Sequence, residues 1–327
     1  MLREVSISKR DNHSVVPVTV TTPSWDTRQM VALLSVVDSG TFSAAALHLG
    51  YTQSAVSQQI ASLERSVGSA LLIRPGGPRR VRLTEVGEAM VVHARAVVAR
   101  LNAAQADIAM LLAGERGTLR IATMQSIGTQ VLPPLLRRFR EEWPGVELAA
   151  EEVVEFPELT EGVESGRFDL SFAPLPIDEG PFAVRRVLDD PYVALVPAGA
   201  PEVATGSISL RQVARRPLVG FRDRSEQEDL MRLLRRTGQE PQIVFRSNDN
   251  PTIAAFVAAG LGYAVVPRLT VDEDDPLVAM LPLSSPVTPR RLGIVWHVDR
   301  QLPRTARRFV ELAVEVCDDI ARRWAEA

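Results

Sequence analysis

The sequence predicts an α/β body preceded by a small helical domain with a β-hairpin and one long connecting helix. Three observations predict it. Short helical periods with capping residues fill residues 25–67, followed by an arginine-bearing Pro/Gly turn between two aliphatic runs. A 4-3-4-3 apolar spacing then runs through residues 90–111, and from Thr118 onward apolar strands alternate with helices.

Length and composition bound the alternatives. The 327 residues allow two or three compact units, and 46% hydrophobic residues describe an ordinary globular chain. No apolar run reaches the ~20 residues that cross a bilayer, and residues 1–24 lack the apolar core of a secretory signal. The expected location is therefore the cytoplasm, with no membrane partner. A lone Cys317 excludes an internal disulfide and reads as a small buried side chain, while His13, His48, His93 and His297 are too scattered for a metal site. No metal or cofactor is expected. The net charge of −3 is unevenly spread. Over residues 43–84, Arg65, Arg74, Arg79, Arg80 and Arg82 face only Glu64, a net of +4, whereas residues 113–327 carry a net of −6. Such a chain would touch phosphate with its N-terminal part alone.

Residues 1–24 read as a flexible extension. Asp26 caps a helix whose Met30, Leu33, Leu34 and Val37 share one face, and Ser39-Gly40 ends it. An Ala-rich helix covers about 43–49, Gly50-Tyr51 turns the chain, and Thr52 caps a third helix to Val67-Gly68. On that helix Val56, Ile60, Leu63 and Val67 form a stripe to be buried. Ser54, Ser57, Gln58 and Ala61 lie opposite, with Gln53 in the first turn. A surface helix ordinarily carries Lys and Glu outside; this face is uncharged until Glu64. Small residues that allow close approach, with hydroxyls and amides for base edges, suit a helix laid in the major groove. Leu71–Ile73 and Val81–Thr84 flank the Pro/Gly turn as a wing whose arginines reach phosphate or the minor groove.

Thr84 opens a helix to about Ala113, roughly 40 Å at 1.5 Å per residue. Met90, Ala94, Val97, Leu101, Ala104, Ile108 and Leu111 make its heptad seam, which predicts pairing between subunits; packing on its own domain is the alternative.

The run from Gly40 to Met90 closely resembles the LysR-type transcriptional regulators. The motifs that carry it are the helix-turn-helix Phe42–Ala61, Ser57-Gln58-Gln59-Ile60 with Leu63-Glu64, and Arg82-Leu83-Thr84-Glu85 with Gly87. The resemblance extends from Trp25 to the end of the chain. It implies a winged helix-turn-helix over 25–84, a linker and dimerisation helix over 85–113, and an effector-binding domain over 114–327. That domain would comprise two Rossmann-like subdomains of the periplasmic-binding-protein type 2 kind, the first about 117–193 and 299–327, the second about 194–298. The chain is expected to cross over near Tyr192–Val196 and return near Ile294–Arg300. By resemblance Gln53, Ser54, Ala55, Ser57 and Gln58 meet bases, and Thr52, Arg74, Arg79, Arg80 and Thr84 meet backbone or minor groove. Implied partners are double-stranded operator DNA, a small-molecule effector, further copies of the chain as homodimer or homotetramer, and RNA polymerase. Gln58 stands where the family often has arginine, which shifts the preferred base from guanine towards adenine. Leu72 stands where it favours phenylalanine.

In the effector half the readings are strands Leu119–Ala122, Val146–Ala150, Leu170–Ala173 and Leu218–Phe221, separated by helices. Ligands of such sheets settle beyond strand ends, against helix N-termini. The candidates are Met124 to Ser126 after the first strand, above all Met124 and Ser126, then Phe156-Pro157 after the second, Arg222 and Arg224, and Asn248. Ser225 and Asn250 read as helix caps. Phe156 occupies a position that is small and polar in many relatives, so family contacts do not transfer there. Gly260-Leu261-Gly262 is no dinucleotide fingerprint, because a helix precedes it and a strand follows. A solute carrier or enzyme on the same α/β fold remains the alternative from another class. It lacks a Gly-x-Ser-x-Gly elbow, a Cys/His pair, a P-loop and an export signal.

Overall fold

The structure, a computed structural model, describes residues 25–73, 80–113, 117–222, 225–285, 287–300 and 302–326. The chain divides into two compact units, Met1–Arg95 and Ala96–Ala327.

In the first unit α1 (Thr27–Ser39), α2 (Phe42–Leu49) and α3 (Gln53–Val67) each begin on a predicted type of cap. Asp26 accepts from the Arg28 N–H at 2.9 Å while the Gln29 side chain returns the bond, a reciprocal capping box. Gly40, Gly50 and Gly68 end the three helices in the left-handed conformation. Met30, Leu33, Leu34 and Val36 from α1 bury against Ala45, Ala46, Val56, Ile60 and Leu63. Val36, rather than the expected Val37, faces this core, and Val67 is only half-buried. β1 (Leu72–Ile73) pairs antiparallel with β2 (Arg82–Leu83), setting Leu72 opposite Leu83. The predicted hairpin forms, but Arg74 and Arg79 lie outside the described residues.

α4 (Glu85–Ala113) spans the boundary between the units. The predicted seam has two fates. Met90 and Ala94 are buried within the first unit, whereas Val97, Leu101, Ala104 and Ile108 are exposed. The Leu111 side chain lies outside the described residues.

The second unit holds β3 (Thr118–Thr123), α5 (Gln125–Gln130), α6 (Leu132–Glu142), β4 (Glu147–Glu152), α7 (Phe156–Glu164), β5 (Leu170–Leu175) and β6 (Phe182–Asp190). Next come β7 (Tyr192–Pro197), α8 (Leu210–Val213), β8 (Leu218–Gly220), α9 (Ser225–Arg235), β9 (Ile243–Arg246), α10 (Asn250–Ala258), β10 (Ala264–Pro267) and β11 (Val278–Pro282). β12 (Arg290–His297) and α11 (Arg304–Glu326) complete it. A five-stranded sheet, β4-β3-β5-β12-β6, forms one subdomain around Ile121, Phe172, Ile294, Phe139 and Phe309. The last two rings meet edge-on at 5.3 Å between centroids. Cys317 is buried in this core, and burial pushes its thiol up to about 12, so it is a packing residue.

The other subdomain centres on the sheet β10-β7-β11 with the parallel pair β8-β9. Alternate residues of β7 enter two cores: Ala194 and Val196 face one, Val193 and Leu195 the other. The two subdomains exchange the chain twice. Pro191 alone separates β6 from β7, close to the expected crossover. The return differs from expectation: β12 already lies in the first sheet from Arg290, so the chain comes back between Leu283 and Pro289, not near 294–300. A strand in register with β6 is indistinguishable in sequence from one in the second sheet, because both are continuous apolar runs. Among the described residues no helix is long and apolar enough to cross a membrane.

Candidate nucleic-acid interface and effector cleft

On α3 the two faces separate as the period requires. Val56, Ile60 and Leu63 are fully buried. Thr52, Gln53, Ser54 and Gln58 are exposed, with Ala55 and Ser57 half-exposed. The Thr52 hydroxyl caps the helix, accepting from the Ala55 N–H at 3.2 Å and lying 3.0 Å from the Ser54 hydroxyl. Ser43, in the first turn of α2, donates to Gln53 Oε1 at 3.1 Å, which orients the amide and leaves its NH₂ outward.

Arg80 is exposed, and its stem lies over the end of α1: a Cβ on Gly40 would stand 3.0 Å from Arg80 Cγ. Gly40 is favoured by its φ of +77°, while the exposed Arg80 side chain beside it can shift to admit a Cβ. Thr84 behaves differently from expectation. Its hydroxyl donates to Ala70 O at 2.8 Å and accepts from the Gly87 N–H at 2.9 Å, so it clasps the hairpin to the start of α4 instead of offering itself to phosphate. Glu64, the one acid of the basic stretch, accepts from the Leu71 and Leu72 N–H groups at 2.9 and 3.3 Å. Its charge is spent inside the domain. Nothing local in the sequence announced this, since the partners are seven and eight residues away.

In the second unit a cleft of about 380 Å³ opens between the subdomains. Met124, Ser126, Phe156, Arg222 and Asn248, all predicted positions, line it; Arg224 lies outside the described residues. The helix starts bring them together: α5 follows β3, α7 follows β4, and α10 follows β9. Asn248 Oδ1 accepts from the Arg222 N–H at 3.1 Å, so it shapes the loop as well as the cleft. The cap of α10 is Asp249 rather than the expected Asn250, and the Ser225 side chain lies outside the described residues. Asp249 accepts from Thr252 N–H and hydroxyl, and these bonds hold its carboxyl below the usual range.

Sequence reasoning missed Glu152, Glu155, Thr270 and Arg290; Gln125 lies within the expected run Met124 to Ser126, but its partners were not foreseen. Gln125 spans the cleft as a fork: its NH₂ donates to Asp249 Oδ1 at 3.0 Å and its carbonyl accepts from the Asn250 N–H at 2.9 Å. Arg290 forms the floor. It is buried, donates to Asp190 Oδ2 through Nη2 at 2.6 Å and Nε at 3.2 Å, and reaches Ser126 Oγ at 3.0 Å. Leu269 N–H completes the shell of Asp190 at 3.1 Å. Burial pushes the Asp190 carboxyl upward, and the guanidinium opposes it. A larger cavity of about 430 Å³ borders the start of β12 and shares Arg290, but no predicted site position lines it. Among the described residues no cluster of side chains suits a metal.

The family models agree with this division. The bacterial regulatory helix-turn-helix of the lysR family matches residues 27–88, and the LysR substrate binding domain matches residues 112–318. The chain is 32% identical over 259 residues to "Probable HTH-type transcriptional regulator LrrA" of Synechococcus elongatus, covering 79% of this chain and 86% of that one. It is 27% identical to the transcriptional dual regulator GltC of Bacillus subtilis, over 80% of this chain and 87% of that one. Among solved structures, a full-length OxyR variant from Pseudomonas aeruginosa gives a TM-score of 0.63 at 23% identity, covering 90% of this chain and 95% of that one. CbnR complexed with its target DNA gives 0.61 at 21% identity, covering 89% and 99%. At those identities the structures speak to fold alone, but the family models together cover most of the sequence. The chain belongs to the LysR-type transcriptional regulators, with a helix-turn-helix domain and an effector-binding domain.

Proposed function

We propose that α3 reads an operator in the major groove through Gln53, Ser54, Ala55, Ser57 and Gln58, with Thr52, Arg80 and the wing arginines Arg74 and Arg79 on the backbone. One observation carries this reading: the hydroxyl- and amide-bearing face of α3 is open and uncharged while Val56, Ile60 and Leu63 of its aliphatic face are fully buried. The exposed part of the α4 seam supports pairing of two such helices into a dimer, and pairs of dimers into a tetramer. The cleft between the subdomains is the effector site, and a ligand closing it would favour one assembly over another and so alter the half-site spacing the reading heads accept. With regulators as its relatives, the effector domain is read as a sensor and not a catalyst.

The test is a gel-shift titration of the full chain on the intergenic DNA beside its own gene. A specific complex that survives excess competitor is expected. No complex with any duplex at low salt would overturn the reading. DNase footprints with and without ligand that never differ in length or bending would overturn the switching part.

A further inference from the structure

We propose that the cleft's ligand is a small zwitterion, an α-amino acid or close analogue, with its carboxylate on the Ser126–Arg290 floor and its ammonium at the Glu152–Glu155 rim. The inference rests on the cleft being the effector site.

The floor is short of acceptors. Ser126 is 2% exposed, and its oxygen accepts from Arg290 at 3.0 Å, yet among the described residues no acceptor takes its own O–H. Arg290 Nη1 has one partner, the Met124 sulfur at 3.8 Å, which accepts weakly. Two residues that line the cavity therefore each hold a buried donor without a strong acceptor among the described residues, and a carboxylate satisfies both. The charge on the floor is already neutralised, because Arg290 is paired with Asp190.

The rim has the opposite character. Glu152, at the end of β4, and Glu155, immediately before α7, line the same cavity and are exposed. Among the described residues neither carboxylate has a hydrogen-bond donor, and Glu155 makes no capping bond. Counting the paired Asp190 and Asp249, the described residues of the site set four carboxylates against Arg222 and Arg290. A simple anion would satisfy the floor but enter a site of net negative charge. A simple amine would suit the rim and leave both floor donors unmet. A molecule carrying both groups answers both ends, and its zero net charge costs nothing against the field of the site.

The experiment is isothermal titration of the full chain with L-amino acids, each tested beside its α-keto acid and its carboxamide. At least one amino acid is expected to bind, with both partners weaker by about 10-fold or more, the effect of one buried charged hydrogen bond. The double variant Glu152→Gln, Glu155→Gln is expected to weaken the amino acid by a similar factor and the keto acid hardly at all. A keto acid that binds as tightly as its amino acid would sink the zwitterion and leave the cleft as an effector site. If no amino acid binds, the proposal falls; if the keto acids and carboxamides also fail, the cleft reading loses its support with it.

Discussion

Gly87 decides how the reading head is closed. A Cβ there would stand 2.0 Å from the Leu71 carbonyl oxygen, so Gly87→Ala must push α4 away from β1. A loss of about 1–3 kcal/mol is expected, typical of overpacking against backbone that cannot yield, and differential scanning calorimetry would show it in the transition of the first unit. An unshifted transition would mean that α4 adapts. Thr84→Val removes the clasp and should cost about 1 kcal/mol, the worth of a helix cap, without changing the salt dependence of DNA binding. Ser57→Ala and Gln58→Ala belong to the opposite class. Each should narrow the ratio of operator to non-specific affinity by about 1–3 kcal/mol with stability unchanged, whereas Arg80→Ala should lower both affinities and reduce the salt slope by about one. Competition gel shifts across a salt series separate the three behaviours. The sequence shows the Arg82–Gly87 motif plainly, but not its physics: a glycine inside a helix has no local reason, and only the backbone of residue 71 supplies one.

At the scale of elements the helices were readable because caps and periods are local. The three left-handed glycines and the caps Asp26 and Thr52 stand where composition placed them. The Gly260-Leu261-Gly262 turn is likewise explained: Gly260 ends α10 at φ +75°, and a Cβ on Gly262 would stand 2.7 Å from the Pro217 carbonyl oxygen. The heptad of α4 was readable as a period but not as a division of labour, since seven apolar residues in a regular 4-3 spacing carry no mark of which neighbour covers them. The structure makes the division testable. Met90→Ala should cost about 2–5 kcal/mol, as core truncations do, and leave self-association alone. Leu101→Asp, at a position 44% exposed, should spare the fold and break self-association. Sedimentation equilibrium decides: a Leu101→Asp chain that assembles like the unsubstituted one would remove the seam from the interface.

Over the whole molecule, function depends on contacts whose partners are far apart in sequence, and these were the ones reading along the chain missed. Arg290 and Asp190 are 100 residues apart, and Gln125 meets Asp249 and Asn250 across 124 and 125. Helix starts announce themselves, so the cleft positions there, Gln125 among them, were readable; the bridge that Gln125 makes to the other subdomain was not. The Gln125 fork matters because it ties the two subdomains across the mouth of the cleft, apart from the two chain connections and from the Leu269 contact with Asp190. Its two hydrogen bonds favour the closed cleft, each by about 0.5–1.5 kcal/mol net. Gln125→Ala should therefore lower the closed population by about 10-fold. If the switch works by closure, the footprint change will need correspondingly more ligand, while the footprint without ligand stays as it is. A dose–response curve identical to that of the unsubstituted chain would show that closure across Gln125 is not the event the reading heads respond to.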